Sequence, residues 1–150
     1  MGSTRMEELM RYLGLDVHSV ATVWCLLDAS GDVVERGKVA TTAPALTALL
    51  ERLSEQDELV AGQEIGTMAY FVHDVVTAAG VKLLSFNAHQ LRMIASSRKK
   101  TDKRDAFWLA KALQTGMTPH PVYIATGQVR RLRMLLSQRA ALKCEQKRWL

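Results

Sequence analysis

The chain has 150 residues, of which 48% are hydrophobic, and it carries a formal net charge of +5. This composition excludes an intrinsically disordered chain, and the length fits one domain with a substantial core. The two cysteines lack metal-type spacing and are too few for a disulfide framework. No apolar run is long enough to cross a membrane. We therefore expect a reduced protein in the cytoplasm.

The first part of the chain is typical of an antiparallel sheet. Residues 11–18 and 20–29 are rich in β-branched, aliphatic and aromatic residues over the length of a strand. The sequence SGD at 30–32 is a turn, and it leads into a returning strand at 33–40. Together these segments predict a three-stranded antiparallel meander.

Helices and strands alternate in the next part of the chain. A helix is predicted over 41–55, with Pro44 in its first turn and an apolar stripe formed by Leu46, Leu49, Leu50 and Leu53. The elements predicted after it are strands at 58–62 and 81–86, and helices at 68–80 and 88–95. Alternation of this kind after a meander predicts a mixed α/β sheet with helices on its faces.

The last part of the chain is predominantly helical. A helix is predicted over 101–114 and a long basic helix over 127–150, whose narrow apolar stripe requires a partner. We therefore expect an N-terminal extension over 1–10, one α/β domain over 11–126, and the beginning of a helical segment at 127.

Charge is distributed unevenly along the chain. Residues 1–90 contain six Lys or Arg and twelve Asp or Glu, a net charge of −6, whereas residues 91–150 contain fourteen and three, a net charge of +11. A basic second part indicates a polyanionic partner, with nucleic acid as the first candidate, although a basic solvated surface has the same composition. The candidates for phosphate contacts are Arg98, Lys99, Lys100, Lys103, Arg104, Arg130 and Arg131.

Four acidic residues stand apart from the others. Asp16 ends the first apolar strand, Glu64 follows the strand at 58–62, and Asp102 and Asp105 share one face of a helix. Carboxylates that converge repel each other, and a divalent cation removes the repulsion. Oxygen ligands favour Mg²⁺ or Mn²⁺, which support phosphodiester chemistry. Capping and first-turn roles would explain the same acids, so their spacing leaves both interpretations open.

Several motifs together resemble a transposase family. They are GLDVH, QEIGTMAY, KTDKRDAFWLAKAL, PVYI and VRRLRMLLSQRAALKCEQKRW. These motifs resemble the N-terminal half of the DEDD transposases of the insertion-sequence-110 family, which includes the Piv/MooV invertases. The similarity runs from about Leu13 to the last residue, and KTDKRDA is its most specific part. Ser19 departs from the lysine that is frequent in the family, and the residues after Glu64 also differ from its common pattern.

The resemblance implies an RNase H-like fold close to that of RuvC Holliday-junction resolvases. It also implies that Asp16, Glu64, Asp102 and Asp105 are the Asp-Glu-Asp-Asp tetrad, which binds Mg²⁺ or Mn²⁺. DNA is the implied partner, and some members are guided by an element-encoded RNA. Residues 127–150 correspond to the start of a dimerisation segment, so a homo-oligomer is expected. The family's C-terminal domain, which carries a proposed serine nucleophile, lies outside this sequence.

Three functions follow as hypotheses. The first is the catalytic domain of a transposase or site-specific recombinase, with metal-dependent DNA strand cleavage and transfer. The second is an endonuclease similar to junction resolvases, with the same metal chemistry and water as the nucleophile. The third is a nucleic-acid-binding module without catalysis of its own, which would have no need for four convergent carboxylates.

Overall fold

The structure, a computed structural model, describes residues 10–55, 57–94 and 102–149, without the side chains of Asp102, Lys103 and Arg104. The strands of this part are β1 (Met10–Val17), β2 (Ala21–Leu27), β3 (Val33–Ala40), β4 (Glu58–Glu64) and β5 (Lys82–Phe86). Its helices are α1 (Ala43–Ser54), α2 (Ala69–Ala78), α3 (Ala88–Ile94), α4 (Asp102–Thr115) and α5 (Gly127–Arg148).

The strands form one mixed sheet in the order β3-β2-β1-β4-β5. Strands β1, β2 and β3 pair antiparallel, which confirms the predicted meander. Strands β1, β4 and β5 pair parallel, so the chain must cross over between them, and it does so through α1 and α2. Strand β4 is longer than predicted, because it continues through two polar residues, Gln63 and Glu64.

Helices α1 and α2 cover one face of the sheet. The predicted apolar stripe of α1 is confirmed: Leu46, Leu49, Leu50 and Leu53 are all buried. They pack in one cluster with Leu13 and Leu15 of β1 and with valines of α2. Burial of each such side chain contributes roughly 1.5–3 kcal/mol to folding, which makes this face the main core of the protein.

Helix α4 covers the opposite face and completes a three-layer α/β/α arrangement. Its Ala106 and Ala110 pack against Cys25 and Leu27 of β2. A second cluster on the same face joins Leu109 and Leu113 of α4 to Phe86 of β5, with Leu91 of α3 packed against it. The helix that carries the predicted aspartate pair therefore lies directly on the sheet.

Helix α5 has no buried residue. The residues of its predicted apolar stripe, Val129, Leu132, Leu136 and Leu142, are between 49% and 66% exposed. Both cysteines are free thiols, Cys25 buried and Cys144 exposed. Within the described ranges, the structure contains no helix with the length and apolar character that a membrane span requires.

Candidate active site

A glycine in β1 allows α4 to approach the sheet closely. A Cβ atom added to Gly14 would overlap the carbonyl oxygen of Ala106 and would lie 2.7 Å from the backbone nitrogen of Ala110. Both atoms belong to the helix backbone, so no side-chain rotation can make room. The backbones of β1 and α4 are therefore in direct contact, as is typical where a strand contains glycine.

Helix α4 runs antiparallel to β1. Near the end of the helix, Gln114 donates from Nε2 to the carbonyl oxygen of Ala29, at 3.0 Å, in the turn between β2 and β3. This turn lies beyond the beginning of β1, because Tyr12 of β1 is opposite Leu27 of β2. The first turn of α4 consequently lies toward the opposite end of the sheet, where β1 and β4 finish.

Asp16 and Glu64 occupy the carboxyl ends of two neighbouring parallel strands. The pairing of β1 with β4 places Leu15 opposite Gln63, so that the next residue of each strand is the predicted acid. Glu64 is the last residue of β4, and only Val17 follows Asp16 in β1. The two acids are therefore neighbours at the end of the sheet where β1 and β4 finish.

The same two acids lie on the sheet face that α4 covers. Gly14 faces the backbone of α4, and Gly62 faces the side chain of Leu113 in the same helix. Because side chains alternate between the faces of a strand, Asp16 and Glu64, each two residues later, point to that side. The first turn of α4, which contains Asp105, lies at this end of the same face.

The rest of the predicted site lies partly outside the described residues. Asp102 begins α4, but its side chain is among those that the structure does not describe. The same holds for Lys103 and Arg104, whereas Arg98, Lys99 and Lys100 lie wholly outside the described residues. Among the described side chains, no three of His, Cys, Asp or Glu are arranged to hold a metal ion. The tetrad and the phosphate contacts of this segment stay predictions.

Asp16 has a histidine neighbour that the sequence did not identify as its partner. Nε2 of His18 lies 3.0 Å from Oδ2 of Asp16, and the histidine side chain is 52% exposed whereas that of the aspartate is 18% exposed. The backbone of His18 is held by Thr41, whose hydroxyl donates to its carbonyl oxygen at 2.7 Å. The buried hydroxyl of Thr22 lies 2.9 Å from that of Thr41 and must donate to it. This chain of hydrogen bonds fixes the turn beside Asp16.

Gln63 fixes the end of β4 beside Glu64. Its side chain is fully buried, and Nε2 donates to the carbonyl oxygen of Ala69 and to Oγ of Ser85, both at 3.0 Å. These bonds tie the strand end to α2 and β5, which both come later in the chain. Oε1 of Gln63 has no hydrogen-bond partner within the part of the chain that the structure describes.

Arg130, which was predicted to contact phosphate, makes a set of contacts within the protein. Its guanidinium donates to both carboxylate oxygens of Asp74, at 2.6 and 2.8 Å, and Nε donates to the carbonyl oxygen of Ala125 at 2.7 Å. It also lies over the ring of Tyr70, 4.6 Å from the centroid. Hydrogen bonding from Arg130 lowers the pKa of Asp74 below its ordinary value. These contacts attach the first turn of α5 to α2.

Arg131 is exposed, whereas the adjacent Arg130 is partly buried, so the two arginines are expected to differ in their contribution to DNA binding. Arg131→Ala is expected to reduce the slope of log affinity for DNA against log salt concentration by about 0.9, the loss of one phosphate contact. Arg130→Ala is expected to leave that slope unchanged. Fluorescence anisotropy with labelled DNA at several salt concentrations measures both, and a larger reduction for Arg130→Ala would contradict the assignment.

Comparison with known proteins shows which family the chain and its fold resemble. The family model described as a transposase, that of the DEDD transposases of the insertion-sequence-110 type, matches residues 13–150. No curated protein matches the chain. The structure of T. thermophilus RuvC in complex with Holliday junction substrate is similar, with a TM-score of 0.52 and 12% sequence identity. That match covers 75% of this chain and 99% of RuvC.

A second structural match is much weaker. The ethanolamine utilization protein EutJ from Carboxydothermus hydrogenoformans has a TM-score of 0.33 and 16% identity, over 58% of this chain and 40% of EutJ. This value is too low to support an argument about the fold. The RuvC match, together with the five-stranded mixed sheet and its flanking helices, confirms the predicted RuvC-like fold. With the family match over nearly the whole length, the chain belongs to the DEDD transposase family of insertion sequence 110.

Proposed function

We propose that residues 11–126 form the catalytic domain of a transposase or site-specific recombinase that cleaves and transfers DNA strands with Mg²⁺ or Mn²⁺. The observation that carries this proposal is the position of Asp16 and Glu64. They end neighbouring parallel strands, on the face where the first turn of α4 begins. In α/β sheets, ligands bind beyond the carboxyl ends of the strands, so this end of the sheet is the expected place for a site.

The donor atoms at this end of the sheet suit a divalent ion by their chemistry. Asp16, Glu64 and Asp105 offer only oxygen donors, which suit Mg²⁺ and Mn²⁺ better than zinc. We assign the fourth carboxylate to Asp102 from the family motif. When bound, such an ion polarises the scissile phosphate and lowers the pKa of the attacking hydroxyl or water.

The protein residues have separate roles in this mechanism. The carboxylates of the strands and of α4 approach from two layers, so substrate phosphate is expected to enter between the end of the sheet and the helix. His18, hydrogen-bonded to Asp16, orients that carboxylate. Gln63 orients the strand end that carries Glu64.

DNA is the proposed partner, held by cations next to the acids in the sequence. We assign phosphate contacts to Arg98, Lys99, Lys100, Lys103, Arg104 and Arg131. An element-encoded guide RNA is a second candidate ligand of the same residues. We also propose that residues 127–150 begin a helical segment for dimerisation, because the apolar stripe of α5 is exposed.

A junction-resolvase-like endonuclease is the second candidate function, and the similarity of the fold to RuvC favours it. The two candidates differ in the nucleophile. A resolvase-like enzyme uses water, so the isolated chain would cut a branched DNA. A transposase that needs its C-terminal domain would bind such a DNA and leave it intact. A binding module without catalysis would bind DNA and show no specific affinity for Mn²⁺.

The proposal is tested by calorimetric titration of Mn²⁺ into the chain and two variants. We expect saturable binding that is lost in Asp16→Asn, because an amide is a poor ligand for a hard divalent cation. Asp32→Asn, in the exposed turn at the opposite end of the sheet, is the control and is expected to bind normally. If the parent chain does not bind Mn²⁺, the titration is repeated with branched DNA. Unaltered binding by Asp16→Asn, or none with DNA present, would exclude the proposed site.

A further inference from the structure

We propose that Gly14 is a positioning residue for the active site, because it sets the distance between α4 and β1. That distance determines how far the aspartates at the beginning of α4 lie from Asp16 and Glu64 on the strands. This inference rests on the proposed metal-dependent function. Gly14 has no side chain to bind a metal ion, so its role is to position the residues that do.

The contact at Gly14 involves only backbone atoms on the helix side. An alanine Cβ there would overlap the Ala106 carbonyl oxygen and lie 2.7 Å from the Ala110 nitrogen, whereas ordinary contacts of a Cβ atom are 3.4–4 Å. Relief of this overlap requires α4 to move away from β1 as a body, by roughly 1 Å, since packed interiors have little free space.

Gly62 on the neighbouring strand provides a matched comparison. It lies directly opposite Gly14 in the β1–β4 pairing and faces the same helix. Its added Cβ would lie 2.8 Å from Cδ1 of Leu113, which is the end of a flexible side chain. Gly62→Ala can therefore be relieved by a rotation of Leu113, and α4 keeps its position.

A displacement of α4 changes the proposed site because the ligands come from two different layers. Mg²⁺ requires near-octahedral geometry with oxygen distances of about 2.0–2.1 Å. Functional constellations must be held within about 0.5 Å of their productive geometry. A shift of roughly 1 Å in one layer alone is thus expected to weaken metal binding by about 10–100-fold, as loss of a supporting contact does.

A compensating substitution distinguishes positioning from simple destabilisation. Asp105→Glu lengthens the carboxylate arm of α4 by one C–C bond, about 1.5 Å. With Gly14 present, this longer arm is expected to weaken Mn²⁺ binding. In the Gly14→Ala background it is expected to restore part of the lost affinity. A general loss of stability would not reverse the sign of the Asp105→Glu effect.

The experiment compares Mn²⁺ affinity and melting temperature for the parent chain, for the single variants Gly14→Ala, Gly62→Ala and Asp105→Glu, and for Gly14→Ala with Asp105→Glu. We expect both single glycine variants to melt at a lower temperature, and only Gly14→Ala to bind Mn²⁺ more weakly. Recovery of affinity in the double variant would support the proposal. Equal Mn²⁺ affinity of Gly14→Ala and Gly62→Ala would overturn it.

A second measurement does not depend on metal, so it separates this inference from the proposed function. The variant combines Asp16→Cys and Asp105→Cys in a Cys144→Ser background. Its rate of disulfide formation reports the approach of α4 to β1, because a disulfide requires Cα atoms about 4.4–6.8 Å apart. Oxidation is expected to be slowed by Gly14→Ala and unaffected by Gly62→Ala. Equal rates in all backgrounds would overturn the inference even if Mn²⁺ binds.

Discussion

Glu64→Gln is expected to reduce metal-dependent DNA strand cleavage by at least about a hundredfold, the loss typical when one charged or polar group at a transition state is removed. The amide retains the shape of the side chain but loses the negative charge that attracts a divalent ion. Glu64 ends β4 beside Asp16, so its removal leaves the strand carboxylates incomplete. Single-turnover cleavage of a labelled four-way junction with Mn²⁺, resolved on a denaturing gel, measures the effect.

Strand β4 itself supplies the control for this prediction. Glu58 begins the strand that Glu64 ends, and because the two positions differ by six they lie on the same face. Both side chains are exposed, so Glu58→Gln makes the same chemical change at the other end of the sheet. We expect this variant to cleave normally. Comparable losses in both variants would contradict a specific role for Glu64.

The parent chain in the same assay distinguishes the two catalytic candidates. Junction cleavage without any further domain means that water serves as the nucleophile, as in the resolvase-like alternative. If the chain binds the junction without cutting it, cleavage is measured again with the family's C-terminal domain supplied. Failure of Glu64→Gln to reduce activity there would contradict the proposed tetrad.

The elements of the fold were predictable because their signals are local. The leucine stripe of α1 has helical spacing, and all four leucines are buried. The end of β4 was not predictable in this way, because Gln63 is a polar residue in a buried position. Its amide nitrogen is satisfied by Ala69 and Ser85, which are brought to it by the parallel pairing of β4 with β5. Contacts between distant parts of the chain determine such a residue.

The candidate site could be predicted only in part, for a similar reason. Sequence motifs identified the acids, but their proximity depends on the direction and depth of α4. Gly14 in the middle of a strand was the available indication of a close backbone approach. Arg130 makes a contact that charge alone does not reveal. Its partner Asp74 lies 56 residues earlier in the chain, and no pattern near either residue indicates the pair.

Phe86→Ala is expected to lower the free energy of unfolding by about 3–5 kcal/mol, the range for loss of a buried aromatic side chain. Phe86 is fully buried and packs against Leu109 and Leu113 of α4. It is also opposite Glu64 in the β4–β5 pairing, and its carbonyl oxygen accepts a hydrogen bond from Ile65 at 2.9 Å. Urea denaturation followed by circular dichroism measures the loss.

Val34→Ala is the comparison variant. Val34 is 46% exposed and lies on the edge strand β3. Its truncation is expected to change the free energy of unfolding by less than about 0.5 kcal/mol. The contrast tests whether the α4 face is a true core or a loosely attached layer. A cost below about 1 kcal/mol for Phe86→Ala would mean that the cavity collapses and that α4 is free to adjust. A helix that adjusts so easily could not hold its aspartates at a fixed distance from the strands, so the same result would also weaken the positioning role of Gly14.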